Sequence, residues 1–286
     1  MGPWRAVCKM GITGDMRVLL GRETGPRAAI LMYHSVVRPG DERSTSGPGN
    51  PDYEMPLHLF SEQMRMVRKG SYRTLALDEL LDADSPVSEH RNVLITFDDG
   101  WSDNHSNALP VLNEYGLKAT VFVITGFVGK ENYLDWGRLR EMQSGGVSVQ
   151  SHSHGHRPLS LLSDGEMRSE LQKSKRSIED RLGTPVHFLS APHGMVDRRL
   201  IQEARVSGYR GICTSEPGFG HQYGSPAVFS RINISARLDA EKFENVIRQK
   251  RSAVLTEMVL KKTKNFAKKS LGYERYRKLY ELRYPK

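Results

Sequence analysis

The chain has 286 residues, of which 38% are hydrophobic and 26% charged, and its net charge is +9. This composition supports one sizeable core and excludes a chain that is disordered over most of its length, and two cysteines exclude a disulfide framework. No apolar run reaches the roughly 20 residues that span a bilayer, and the first 25 residues lack the apolar core of a signal peptide, so we expect a cytoplasmic protein.

The predicted elements are strands that alternate with helices, after an irregular leader at residues 1–26. In chain order the sequence predicts a strand at 28–33, a loop at 37–55, a helix at 57–67, a strand at 92–97, a helix that ends at residue 115, a strand at 119–124, a helix at 136–143, a strand at 147–151, a helix at 164–182, and short strands near 187–191, 210–214 and 228–234.

This alternation predicts an α/β fold in which about seven strands pair in parallel through helical crossovers. The pattern allows either a closed or partly closed barrel or an open, doubly wound sheet. Both architectures place ligands at the carboxyl ends of the strands. His34, the pair Asp98-Asp99, and His152 all follow directly after predicted strands, so we expect the functional site there.

The basic character is concentrated in residues 241–286, which contain 14 Lys and Arg but only 5 Asp and Glu. We therefore divide the chain into the leader, a catalytic domain at 27–240 and a basic helical C-terminal extension at 241–286. The extension either packs on the domain with a solvated basic face or contacts an anionic membrane surface. A nucleic-acid partner is not expected, because no motif supports one.

Two clusters point to metal chemistry. Asp98 and Asp99 end an apolar strand, and Gly100 permits the turn that would let the two carboxylates serve different partners. His152, His154 and His156 alternate after another strand. A continued strand would place all three imidazoles on one face, whereas a helical turn would pair only the first and third.

Together the clusters can supply one carboxylate and two imidazoles to a metal ion, with positions left open for water or substrate. The second carboxylate can then act as a general base on the activated water. This arrangement would make a hydrolytic site without a serine or cysteine nucleophile.

The sequence resembles the polysaccharide deacetylase family, also called the NodB-homology domain or carbohydrate esterase family four. The resemblance rests on the stretches Thr96-Phe97-Asp98-Asp99-Gly100 and His152-Ser153-His154-Gly155-His156, and it covers roughly residues 27–235. It is closest to the branch that deacetylates exopolysaccharide and biofilm polymers. The resemblance implies a distorted (β/α) barrel.

The family's residue roles can be carried over at the matching positions. The resemblance implies that Asp98 is the catalytic base, and that Asp99, His152 and His156 bind one divalent metal ion. Zinc is the expected ion, and nickel, cobalt or iron would suit the same ligands. The implied substrate is an acetylated saccharide.

The third family motif is altered, because Ser190 stands where the family usually has an arginine that pairs with the catalytic aspartate. Loss of that cation would raise the pKa of Asp98 unless another replaced it, and we predict that Arg231 does so. The resemblance implies that the turn Pro192-His193-Gly194 lines the substrate site and offers the His193 N–H to the developing oxyanion.

The family's late catalytic histidine has no match in this sequence. His34 is our first candidate for the general acid, since Met32-Tyr33-His34 resembles the opening motif of the exopolysaccharide branch, and His193 is the second. Trp101, beside the acidic motif, is a candidate for stacking on a sugar ring.

The expected function is therefore metal-dependent N-deacetylation of a polysaccharide or of a lipid-linked saccharide. The alternatives are an O-acetyl esterase or non-sugar amide hydrolase with the same metal site, and a noncatalytic carbohydrate-binding protein that kept the fold.

Overall fold

A computed structural model describes residues 28–38, 53–70, 72–81, 91–222, 225–255 and 258. The predicted leader, most of the loop predicted at 37–55 and most of the basic extension lie outside these residues. Within the described part, no helix is long and apolar enough to cross a membrane.

The predicted sheet is present and curls into a distorted half-barrel with helices outside it, so the predicted fold class is confirmed. The strands are β1 Ala28–Tyr33, β2 Ser35–Val37, β3 Glu54–Pro56, β4 Arg73–Thr74, β5 Asn92–Phe97, β6 Ala119–Val123, β7 Val147–Ser151, β8 Phe188–Ser190, β9 Gly211–Cys213, β10 His221–Gln222, β11 Ala227–Phe229 and β12 Ile232–Asn233. Eight strands pair in parallel in the order β11-β9-β8-β7-β6-β5-β1-β12. The antiparallel β10 extends one edge, and β4 also pairs with β5.

The helices follow the strands as the sequence predicts. They are α1 Leu57–Lys69, α2 Leu77–Leu81, α3 Leu109–Tyr115, α4 Trp136–Ser144, α5 Asp164–Leu182, α6 Arg198–Val206 and α7 Ala240–Ile247. A π-helical turn, Asn104–Ala108, precedes α3, and short 3₁₀ turns lie at Leu159–Leu161 and Pro192–Gly194. The sequence did not indicate β2, β3, β4, β10, α2, α6 or the π-helical turn.

Alternating side chains of the strands divide the core into two layers. On β1 and β5, Ala29 and Val93 belong to the large cluster beneath the helices, whereas Ile30 and Leu94 belong to a smaller cluster with Phe122. Period-two alternation continues the Leu94 face through Thr96 to Asp98. The inner face of the sheet therefore leads directly to the first acidic residue.

The first part of the predicted C-terminal extension packs on the body. Phe243, Val246 and Ile247 of α7 are buried in the large core cluster, and Val254 joins them. This apolar face is buried against the core of the domain, as the packed-helix alternative predicts for this segment. The proposed boundaries of the extension and its contact with a membrane stay predictions.

Candidate active site

A tight turn after β5 separates the two adjacent carboxylates. Asp99 has φ 73° and Gly100 has φ 79°, so both residues lie in the left-handed region. This conformation costs a non-glycine residue about 1–3 kcal/mol and persists only where the surroundings enforce it. The Leu134 N–H holds the turn by donating to the Gly100 carbonyl at 2.9 Å. As a result, Asp98 and Asp99 have different partners, as expected from the sequence.

Asp99 meets two of the three histidines. Its Oδ1 lies 3.4 Å from His152 Nε2 and 3.5 Å from His156 Nε2, and the three ligand atoms lie within 4.8 Å of one another. Ligands 2.0–2.1 Å from a tetrahedral zinc are about 3.3 Å apart. The donor set and its spacing therefore fit a single divalent ion, and these residues form a candidate metal site.

The buried imidazole of His152 has a defined orientation. Its Nδ1 lies 2.8 Å from the Ser190 carbonyl oxygen, which can only accept, so Nδ1 carries the proton and Nε2 faces Asp99. Burial lowers the pKa of His152, but the Asp98 and Asp99 carboxylates raise it more. Burial and the neighbouring His152 lower the pKa of His156 to about 3, which keeps its imidazole neutral and able to bind a metal.

The segment that contains the histidines follows neither of the two geometries considered from the sequence. Ser153 has φ 64° and His156 has φ 55°, so the chain after β7 turns instead of continuing as a strand or a helix. The turn directs His152 and His156 to Asp99, whereas His154 Nδ1 lies 3.0 Å from Thr125 Oγ1. His154 is therefore outside the candidate metal site, as the resemblance implies.

Glu170 of α5 holds this turn, and sequence analysis missed it. One carboxylate oxygen, Oε2, accepts the His154 N–H at 2.9 Å and the Gly155 N–H at 2.6 Å. A Cβ at Gly155 would lie 2.9 Å from Glu170 Oε1, so glycine permits this close approach. The one clue in the sequence was the place of Glu170 on its helix, next to the buried face formed by Met167, Leu171 and Ser174.

We expect Glu170→Ala to lower the free energy of unfolding by about 1–3 kcal/mol, because it leaves two backbone donors without their partner. Glu170→Gln is the matched control, since its amide oxygen can still accept, and it should cost less than half as much. Urea unfolding of both variants measures this difference. Equal losses would show that the carboxylate oxygen does not hold the turn.

The contact predicted between Arg231 and Asp98 is present. Arg231 lies between β11 and β12, and its two terminal nitrogens donate to Asp98 Oδ1 and Oδ2, each at 2.7 Å. The same nitrogens reach Thr96 Oγ1 at 3.3 Å and Ser190 Oγ at 2.8 Å, and Nε donates to the Thr214 carbonyl at 2.8 Å. All five guanidinium N–H groups thus have acceptors, although the side chain is only 1% exposed.

These contacts set the charge of Asp98. Burial raises the pKa of the carboxyl, but the charge and hydrogen bonds of Arg231, together with the charge of His152, lower it more, to about 2. Arg231 and the Ser190 hydroxyl, which donates to Oδ2 at 3.1 Å, supply three hydrogen bonds. A carboxylate has about four acceptor positions. Among the described residues the remaining position has no donor, and it is on Oδ1.

His34 lies in the same site, and its backbone is hydrogen-bonded to the start of the π-helical turn. Its ring stacks on Tyr53 at 4.2 Å, and its Nδ1 is buried with no partner among the described residues. Asn104 donates to the His34 carbonyl at 2.7 Å, and Asp103 accepts the Val36 N–H at 3.1 Å. Burial lowers the pKa of His34 below its usual value, and the charges of Asp99 and Asp98 offset only part of this effect.

The other predicted site residues lie around the candidate metal site. The His193 ring is exposed and 4.9 Å from the His156 ring, and Pro192 is buried in the 3₁₀ turn beside it. Trp101 stacks on Tyr133 at 4.6 Å and donates its indole N–H to Asp99 Oδ2 at 3.2 Å. The structure thus brings all the predicted site residues to one end of the sheet.

Similarity to known proteins identifies the family. Residues 86–212 match the family model described as polysaccharide deacetylase. The YxkH protein of Bacillus subtilis (strain 168), whose name assigns it to the polysaccharide deacetylases, is 30% identical over 232 residues, which are 80% of this chain and 79% of that protein. The chain belongs to the polysaccharide deacetylase family.

Other relatives of this deacetylase support the same assignment. The poly-β-1,6-N-acetyl-D-glucosamine N-deacetylase of Staphylococcus aureus (strain MRSA252) is 26% identical over 174 residues, or 56% of this chain and 60% of that protein. The Streptococcus pyogenes deacetylase PplD, solved in complex with acetate, superposes with a TM-score of 0.70 at 26% identity and covers 79% of this chain and 99% of that chain. The predicted family and enzyme class, a hydrolase of non-peptide amide bonds, are confirmed.

Proposed function

We propose that this deacetylase removes acetyl groups from N-acetylated sugars of a polysaccharide or a lipid-linked saccharide, in a reaction that depends on a divalent metal ion. The observation that carries the proposal is the candidate metal site beside a buried, ionised Asp98. The name of the Staphylococcus aureus relative supports a β-1,6-linked polymer of N-acetylglucosamine as the first substrate to try.

Asp99, His152 and His156 would hold the ion, and three protein ligands leave at least one position open. A divalent ion bound there would polarise the acetyl carbonyl and lower the pKa of a water. Zinc is the ion we propose, and nickel, cobalt or iron would suit the same donors.

Asp98 is the proposed general base. Arg231 and Ser190 hold its carboxylate in one orientation, and Oδ1 keeps the acceptor position that can take a proton from the attacking water. Because the guanidinium and the nearby imidazoles lower the pKa of Asp98 to about 2, the carboxylate is ionised at neutral pH before the reaction begins. Arg231 thus acts as a positioning residue that supplies the charge usually expected at position 190.

His34 is the proposed general acid that protonates the leaving amine. Its Nδ1 is buried without a partner among the described residues, and although burial lowers its pKa, the charges of Asp99 and Asp98 act to raise it. The exposed His193 is the second candidate for this role, and its backbone N–H and Pro192 are proposed to face the oxyanion and the substrate. These roles rest on the family resemblance together with the positions described above.

The direct test is acetate release from purified β-1,6-linked N-acetylglucosamine oligosaccharides, with the free amine counted by a primary-amine reagent. We expect equal amounts of acetate and amine from the zinc-loaded protein, and loss of both after chelation. An O-acetylated oligosaccharide and a simple N-acetylated amine serve as substrate controls. Faster acetate release from either control would contradict the proposed substrate class and favour the esterase or non-sugar amidase alternative.

A further inference from the structure

We propose that Trp101 is a positioning residue that limits Asp99 to binding the metal ion through one oxygen. The inference rests on the proposed metal site, and it concerns how the chain shapes that site. The two oxygens of Asp99 have different surroundings. Oδ1 faces the Nε2 atoms of His152 and His156 at 3.4 and 3.5 Å, whereas Oδ2 accepts the indole N–H of Trp101 at 3.2 Å.

The indole N–H is suited to this task because it can only donate. It occupies Oδ2 without adding a charge and without competing for the metal as a ligand. A carboxylate held in this way presents one oxygen to the ion, and the position that a second oxygen would fill stays open for water or substrate. Hydrogen bonds to metal ligands commonly set ligand orientation, and their loss typically weakens metal binding about 10–100-fold.

The segment around Tyr133 holds the indole in place. Trp101 forms a β-bridge with Tyr133, and their rings stack at 4.6 Å with an interplanar angle of 21°. The Phe127 ring packs edge-on against Tyr133 at 5.1 Å. The Ser102 N–H also donates to the Asn132 carbonyl at 2.8 Å. Backbone and ring contacts therefore fix the direction of the N–H before any ion binds.

The test compares Trp101→Phe, which keeps an aromatic ring but loses the donor, with Trp136→Phe, the same kind of change on α4. Zinc affinity is measured by competition with a chromophoric chelator. We expect Trp101→Phe to weaken zinc binding about 10–100-fold and Trp136→Phe to stay within about twofold. The visible spectrum of the Co²⁺-loaded protein should also change only in Trp101→Phe, because a second Asp99 oxygen alters the coordination.

Melting of the metal-free proteins separates positioning from a general structural role. The metal-free melting temperatures of the two variants should agree, and only the rise on adding zinc should be smaller for Trp101→Phe. If Trp101→Phe does not fold, the role of Trp101 is tested by ¹⁵N NMR of the wild-type protein. The three tryptophans give three indole signals, and the Trp101 signal, assigned by elimination with Trp4→Phe and Trp136→Phe, should shift on zinc binding.

Unchanged zinc affinity and Co²⁺ spectrum in Trp101→Phe, or an indole signal that does not respond to zinc, would overturn the role of Trp101 while leaving the metal site intact. Failure of the wild-type protein to bind zinc at all would instead overturn the proposed metal site, and the inference with it.

Discussion

Replacing Arg231 with methionine is expected to lower the free energy of unfolding by about 3–5 kcal/mol at pH 7. The reason is that Asp98, only 3% exposed, would keep its charge without its bidentate partner. The Ser190 and Thr96 hydroxyls and the Thr214 carbonyl would lose a donor as well. Urea denaturation of the metal-free proteins measures the loss.

The double variant Asp98→Asn/Arg231→Met is the matched control, because it removes both charges together. It should be more stable than Arg231→Met alone, since no uncompensated ion remains buried. A double variant as unstable as Arg231→Met would show that the loss comes from packing and not from charge.

The stability gap between wild type and Arg231→Met should also depend on pH. In the wild type the pKa of Asp98 is lowered to about 2, so the ionised carboxylate contributes stability above its ordinary pKa of about 3.9 and loses it as the pH falls toward 2. Without the guanidinium, burial would raise that pKa above the ordinary value. On acidification, protonation of Asp98 then removes the uncompensated buried charge from the variant. The difference in unfolding free energy between wild type and variant should therefore narrow from pH 7 to pH 4. A gap that is constant with pH would contradict this account of Asp98.

Asp98→Asn is expected to lower kcat about 10²–10⁴-fold, the usual range for loss of a general base. The amide has nearly the shape of the carboxylate but cannot accept the proton from water at neutral pH. Because Asp98 contributes no ligand atom to the candidate metal site, zinc stoichiometry should be unchanged. The measurement is steady-state acetate release, at a temperature at which circular dichroism shows the variant to be folded.

Asp99→Asn provides the contrast to that prediction. It should lose both zinc and activity, since Asp99 Oδ1 belongs to the candidate site. Loss of zinc in Asp98→Asn together with retention in Asp99→Asn would reverse the roles of the two carboxylates.

The central strands and the position of the candidate residues at one end of the sheet could be predicted because both depend on local patterns. A short run such as Asn92–Phe97 favours a buried strand in a fold of alternating strands and helices, and polar residues that follow parallel strands lie at the same edge of the sheet. Arg231 could be anticipated by electrostatics, because a buried aspartate needs a cation once Ser190 replaces the usual arginine.

The parts that could not be predicted depend on the paths of loops and on contacts between distant side chains. The left-handed φ of Asp99 could not be predicted from its residue type, because aspartate adopts that conformation more often than most residues but only at a minority of its positions. Glu170 lies 16 residues from His154, whose N–H it accepts, and Tyr133 lies 32 residues from Trp101, on whose ring it stacks. Nothing in the spacing of Asn104–Ala108 distinguishes a π-helical turn from an ordinary helix.

Metal content of five purified proteins, measured by elemental analysis after equilibration with zinc and gel filtration, tests the central claim most directly. The proteins are the wild type and the variants Asp99→Ala, His152→Ala, His156→Ala and His154→Ala. We predict about one zinc per chain in the wild type and in His154→Ala, with little or none in the other three. A wild type without bound zinc, or loss of zinc in His154→Ala alone, would contradict the metal site and the hydrolytic mechanism built on it.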